Sequence, residues 1–281
     1  MEVRFHESVE DFRAVAGTVY DRDPVTYTIE LTVLRAATLP NDSVLLTVWD
    51  SLDVVGAAMQ TPPYPLACAG LSANGIDCAA TSLAQTHPAL PGVRGPRDKA
   101  VDFAATWRRI TGADTEADSG ERLYRLGRLS PPNAVTGEAR QANADDAEVL
   151  ADWVGRFYAE VFRPGRDPAA PVEFVAEASR VGDRFVLWTV AGQPVSMAMV
   201  RAPVAGVSRI GPVYTPDDQR GRGYGSAVTA AASRAALDAG AGGVVLFADL
   251  DNPVSNSIYQ RIGFEPVSDW VRIGFSTARV P

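Results

Sequence analysis

The chain is short of the side chains from which much enzyme chemistry is built. It holds two histidines, His6 and His87, and two cysteines, Cys68 and Cys78. His6 lies near the N-terminus and His87 precedes Pro88 in a loop-like stretch. Neither stands beside a partner motif, so both read as loop or surface residues. A Ser-His-Asp hydrolase or a histidine-ligated metal enzyme has little to work with here. The spacing of Cys68 and Cys78 matches no zinc or redox motif, which leaves them as reduced core thiols. No apolar run approaches the length of a membrane span. Met1-Glu2-Val3-Arg4-Phe5-His6 lacks the basic start and apolar stretch of a signal peptide. Twenty-six Lys and Arg face 34 Asp and Glu, for a formal net charge of −8, and no basic cluster stands out. That balance argues against nucleic acid as a partner. The expectation is a cytoplasmic chain with no metal and no membrane or nucleic-acid partner, acting as a monomer or homodimer. Its 281 residues, 46% hydrophobic and 21% charged, suffice for two modest globular domains.

What is present is concentrated in one stretch, Arg220-Gly221-Arg222-Gly223-Tyr224-Gly225-Ser226. It follows the strand-like Arg209-Ile210-Gly211-Pro212-Val213-Tyr214 and opens an alanine-rich helix from Gly225 to Ala239, stopped by Gly240. Glycines let the backbone curl tightly, so that N–H groups converge at a helix start. The helix dipole places about half a positive charge there. Arg220 and Arg222 can add full charges. The pattern predicts a cradle for a small molecule that carries a pyrophosphate. A P-loop needs Lys followed by Ser or Thr after its last glycine, and here Ser226-Ala227 follows. The dinucleotide fingerprint G-x-G-x-x-G is not met either, because Ser226 stands at its last position.

Arg220-x-x-Gly223-x-Gly225, with Ser226 and the helix behind it, resembles the acetyl-CoA loop of the GNAT superfamily of N-acetyltransferases. A buried strand follows at Gly243–Ala248. Then come Asn252-Pro253-Val254-Ser255-Asn256-Ser257-Ile258-Tyr259-Gln260-Arg261-Ile262-Gly263-Phe264. This is similar to a second GNAT signature, an Asn at a strand end and a helix carrying a Tyr before Gly-Phe. Pro253 and Gly263 suit the start and the end of that helix.

The resemblance implies an α/β fold with a mixed sheet and direct transfer of acetyl from acetyl-CoA to an amine, without a metal. It implies that pantetheine lies along Val213, Tyr214 and Thr215, and that Gln219, Arg220, Gly221, Arg222, Gly223, Tyr224, Gly225 and Ser226 hold the pyrophosphate. It also implies that Asn252 and Asn256 line the cofactor, and that Tyr259 supplies the acid for the departing thiolate. From the residues alone, Asn252 serves equally as a turn-former before Pro253, and a core or surface packing residue is the alternative for Tyr259. Glu160, Glu173 and Glu177 fall on the helical wall of the acceptor site in this fold, where a charge more commonly faces water than acts as a base. The acceptor is a small-molecule or peptide amine that the sequence does not identify. A protein that binds acyl-CoA as a sensor or scaffold and catalyses nothing is the alternative, as is one that uses another acyl donor.

The chain divides near Pro131-Pro132-Asn133. The expected domains are 1–132 and 137–281. The second reads as a strand at Gly137–Ala142, a helix from Asp145 or Asp146 to about Phe162, and a loop at Arg163–Pro168. A helix at Pro171–Arg180 and strands at Phe185–Val190 and Val195–Arg201 follow. The first half echoes this hairpin at Leu45–Asp50 and Val54–Thr61, and Val55/Val195, Ala58/Ala198, Met59/Met199 and Pro63/Pro203 agree at one offset. No R-x-x-G-x-G follows Pro63. Asn74–Gln85 reads as a helix, and Asp98–Leu129 as one helix and the strand Leu123–Leu126. The expectation is a pseudo-dimer within one chain: a degenerate GNAT-like domain followed by an intact one.

Overall fold

A computed structural model describes residues 1–36, 39–161 and 170–276. The chain lays down β1 (Glu2–Phe5), α1 (Val9–Tyr20), α2 (Thr28–Val33), β2 (Val44–Asp50), β3 (Asp53–Gln60), β4 (Leu66–Ala67), α3 (Ala73–Thr86), β5 (Gly92–Pro96), α4 (Arg97–Thr111) and β6 (Thr115–Leu126). It continues with β7 (Glu138–Gln141), α5 (Ala147–Val161), α6 (Ala170–Arg180), β8 (Arg184–Val190), β9 (Gln193–Val200), β10 (Val207–Tyr214), α7 (Tyr224–Asp238), β11 (Gly243–Asp249), α8 (Pro253–Arg261) and β12 (Phe264–Phe275). The expected loop at Arg163–Pro168, and Phe162 before it, lie outside the described residues.

The internal repeat is carried by the hairpins. Val44–Asp50 and Asp53–Gln60 recur as Arg184–Val190 and Gln193–Val200, each displaced by 140 positions. Their irregularities recur with them. The β2–β3 register shifts between Val48 and Trp49, and the β8–β9 register between Trp188 and Thr189. The turns contain Ser51 and Ala191, both at positive φ (56° and 48°). Bulges and left-handed non-glycine residues are uncommon enough that their shared offset marks one repeated unit.

Two compact units result, each discontinuous in sequence. One comprises Met1–Leu123, Asp249–Asp251 and Val267–Pro281; the other comprises Tyr124–Ala248 and Asn252–Pro266. In the first, the strand order is β1-β2-β3-β4-β5-β12, with β4 and β5 parallel. Leu46, Val48, Leu66, Ile76, Leu83, Phe103 and Trp107 build its core together with Val271 and Ile273 from β12. Trp270 is fully buried, and Arg94 stacks on it at 5.1 Å.

In the second unit the order is β11-β10-β9-β8-β7. Its central strands β8 and β9 are buried on both faces over most of their length, so successive residues feed two cores. Val186 and Ala198 pack with the alanines of α7. Leu187 and Met197 pack with Trp153 and Val154 of α5 and Ala178 of α6. An alanine-rich helix suits its side, because short side chains let α7 settle close to the strands. Asp146 fixes the start of α5: it accepts from the backbone N–H of Asn143 at 2.8 Å and pairs with both Arg140 nitrogens at 2.7 Å. Among the described residues no helix is long and apolar enough to cross a membrane. Both cysteines are free thiols; Cys68 is buried, but Cys78 on α3 is only partly so, short of the core placement expected.

Candidate cofactor cradle and active site

The site begins where β10 parts from β11. Their parallel pairing runs from Val207–Gly243 to Ile210–Leu246. Past Ile210, β10 keeps its antiparallel pairing with β9 at Val213–Ala198 and Tyr214–Met197, after a register shift at Gly211-Pro212. Pro212 has no N–H to give a ladder, and a bulge at this point bends the strand. Ser196, fully buried on β9, fixes the strand's end. Its Oγ donates to the Tyr214 carbonyl at 3.0 Å and shares a 2.8 Å hydrogen bond with Thr215 Oγ1. The Tyr214 side chain is buried against Trp153, so only its backbone can meet a ligand along the strand. Val213 packs toward the α7 core.

Beyond Tyr214 a short turn, Asp217–Gln219, leads to the glycines. Gly221 (φ 77°) and Gly223 (φ 84°) are left-handed, a conformation that costs other residues about 1–2 kcal/mol. Gly223 is the N-cap of α7 and offers no side chain to the helix start. The first backbone N–H groups of α7 therefore have no cap of their own. An anion is the natural partner for such groups, and the dipole favours it. Gly225 differs from the other two. It has ordinary helical φ, and an added Cβ would meet Thr215 Oγ1 at 3.4 Å, an ordinary contact. The fold does not require glycine there. Tyr224 and Ser226 are buried in the first turn, and Gln219 Nε2 donates to Asp218. Arg222 is exposed and reaches the Asp218 carbonyl at 3.2 Å. These residues fit a pyrophosphate by backbone geometry.

Downstream, Asn252 is the N-cap of α8, and its Oδ1 accepts from Ser255 N at 3.0 Å. That side chain is committed to the turn. Asn256 Nδ2 donates to the Asn252 carbonyl at 2.8 Å, and its Oδ1 accepts from the Tyr124 hydroxyl at 2.7 Å. Tyr124, from the end of β6, is fully buried and meets Tyr259 edge-on at 6.4 Å. The sequence reading passed over Tyr124. Its only signal was a tyrosine among the apolar positions of Leu123–Leu126. Tyr259 is 9% exposed and packs between Tyr124 and Phe264. Burial pushes its phenol up to about 12, so it holds its proton throughout the neutral range.

The candidate bases separate. Glu160 is bound by Arg220, Glu177 pairs with Arg180 at 2.9 Å, and Glu173 is exposed on α6. None sits in the buried setting that would suit a base tuned toward neutrality.

The first unit closes the corresponding place with its own atoms. Its loop runs from Cys68 to Ser72, and Ser72 Oγ caps α3 by accepting from Gly75 N at 3.2 Å. Gly70 is packed so tightly that a Cβ would lie 2.5 Å from the Ala57 carbonyl oxygen and 2.7 Å from the Tyr20 ring. Lys99 donates to the Ala69 carbonyl at 2.6 Å. With its helix start already capped and its loop pressed on β3, this unit offers no cradle.

Comparison with known proteins agrees with this geometry. Residues 148–264 match the Acetyltransferase (GNAT) family. A 62-residue stretch is 42% identical to mycothiol acetyltransferase of Corynebacterium jeikeium; it is 21% of this chain and spans only 18% of that protein. Solved structures share the fold over the whole length. An acetyltransferase of the GNAT family from Colwellia psychrerythraea matches with a TM-score of 0.65 at 10% identity, covering 98% of this chain and 100% of its own. A tandem GNAT protein from the clavulanic acid biosynthesis pathway matches with a TM-score of 0.63 at 14% identity, covering 100% of both. Residues 148–264 are thus similar to the acetyltransferase (GNAT) family, and the fold of the chain is similar to that of a tandem GNAT protein.

Proposed function

We propose that this protein is an acetyl-CoA-dependent N-acetyltransferase acting on a primary amine, with residues 137–281 as its catalytic domain and the end of β6 contributing Tyr124. Bound acetyl-CoA supplies the thioester. The observation that carries the reading is the uncapped start of α7 behind left-handed Gly221 and Gly223, set just past the point where β10 leaves β11. Gly221 to Ser226 present backbone N–H groups to the pyrophosphate. The backbone of Val213 to Thr215, past the stretch of β10 that pairs with β11, gives pantetheine a strand to pair with. As the amine nitrogen bonds the acetyl carbon and the C–S bond breaks, Tyr259, kept protonated by burial, donates its proton to the departing sulfur; the proton lost by the amine passes to water, from which the phenol is restored. Asn256 and Tyr124 hold the α8 turn that carries it. The Asn252 side chain acts as the helix cap, so its part is structural.

The acceptor is an amine small enough to approach from the α5–α6 side, and the acceptor of the Corynebacterium relative belongs in any panel. Calorimetric titration with acetyl-CoA should give one site per chain, in keeping with the closed loop of the first unit. Free-thiol release with an amine panel should reveal turnover. Two equivalent sites would overturn the assignment of the cradle to the second unit. One bound acetyl-CoA with no turnover of any amine would favour a sensor.

A further inference from the structure

Arg220 stands first in the R-x-x-G-x-G string, where the sequence suggests a charge for the pyrophosphate. Its contacts are of another kind. Nε donates to the Thr215 carbonyl at 2.9 Å. Nη1 lies 2.9 Å from the Asp217 carboxylate. Nη2 lies 2.8 and 2.9 Å from the two oxygens of Glu160. One planar guanidinium thus joins the last turn of α5, the end of β10 and the turn at Asp217. All three of its nitrogens are occupied by this chain's own oxygens. Phosphate could take Arg220 only by giving up contacts that shape the loop.

We propose that Arg220 and Glu160 are positioning residues: Arg220 is a strut that ties residues 215–220 to the end of α5 and so aims the cradle's backbone N–H groups, and it does not contact the pyrophosphate. The proposal rests on the reading of Gln219 to Ser226 as the cofactor cradle. Arg222, whose guanidinium makes only the Asp218 carbonyl contact among the described residues, is then the side-chain charge left for the phosphates. The two sides of the Glu160 pair are about half exposed (48% and 47%), so neither is needed for a folded core. An exposed pair alone changes an equilibrium by only about fivefold or less. Three acceptors on one rigid fork add geometric control that a lysine cannot reproduce.

The test is the acetyl-CoA dissociation constant by calorimetry for the full chain and for Glu160→Gln, Arg220→Gln, Arg220→Lys and the Glu160→Gln/Arg220→Gln double variant. As a strut, each single substitution should weaken binding about three- to tenfold, and the double no further than Arg220→Gln, which already removes the Glu160 connection. Melting temperatures should stay at the wild-type value. With a competent amine, the Michaelis constant for acetyl-CoA should rise while kcat at saturation stays within about twofold, as expected when only the cradle's aim is lost. If Arg220 instead contacts phosphate, Glu160→Gln will bind acetyl-CoA as tightly as wild type or tighter, and Arg220→Lys will retain its affinity. Either result overturns the proposal and leaves the cradle standing. A wild type that binds no acetyl-CoA overturns both.

Discussion

Tyr259 shows how burial can keep a phenol protonated at a single residue. Its phenol is shielded by Tyr124 and Phe264, and desolvation raises its pKa to about 12 because the charged phenolate is disfavoured. The sign of the linkage follows. The unfolded chain's tyrosine ionises near 10 and the folded one near 12, so the neutral group's contribution to stability is complete below pH 10. It is lost between about 10 and 12. Tyr259→Phe keeps the ring and removes the hydroxyl. The variant should fold, bind acetyl-CoA as the wild type does, and turn over its amine at least about a hundredfold more slowly. Its melting temperature should gain on the wild type only above pH 10. Near-wild-type kcat with a competent amine, under conditions where acetyl transfer limits the rate, would reduce Tyr259 to a packing residue. Asn252 marks the limit of reading at this scale. An asparagine before proline signals a turn as readily as a ligand, and the 3.0 Å bond to Ser255 N spends its side chain on the turn.

At the scale of the element, the start of α7 separates two roles for glycine. Gly223 is left-handed, and a Cβ there would press Val135 Cγ2 at 3.1 Å, so its substitution strains the fold before any ligand is considered. Gly225 carries no such demand. Gly225→Ala should gain about 0.5–1 kcal/mol of helix stability while placing a methyl where phosphate oxygens approach the backbone. The expected outcome is an equal or higher melting temperature with acetyl-CoA affinity reduced at least about tenfold, since a buried phosphate loses its closest N–H contacts. Unchanged affinity in calorimetry would remove Gly225 from the cradle. The glycine turn ahead of α7 was legible in the sequence because glycine spacing encodes backbone conformation directly. The helix expected at Gly225–Ala239 appears one residue earlier at each end, as Tyr224–Asp238. The local pattern gave no place to β1, β4, β5 or β12, and two of these show why. β5, Gly92–Pro96, is short and holds two glycines and a proline, and β12 runs for 12 residues through Glu265, Pro266 and Asp269. Both depend on tertiary partners more than on local pattern.

For the whole molecule, a pattern of buried and exposed positions tells which face of a strand is covered but not which chain segment covers it. The offset of 140 residues between the two hairpins was visible. The return of residues 267–276 to the first unit was not. That return is energetically large. Trp270, Val271 and Ile273 are buried in the first unit, and Phe275 stacks on Trp107 at 5.2 Å. Burying three large apolar side chains contributes roughly 5 to 9 kcal/mol as an upper estimate, comparable to the whole stability of a typical domain, about 5–15 kcal/mol. The backbone ladder between β5 and Trp270–Gly274 would be lost with them. A chain that ends at Pro266 should therefore lose the cooperative unfolding transition of its first unit, although every residue of the cradle and of α8 is still present. Circular dichroism melting, with the full chain as reference, would show this as a lost or strongly lowered transition. A truncated chain that melted like the full one would mean that β12 is an accessory to the first core rather than part of it.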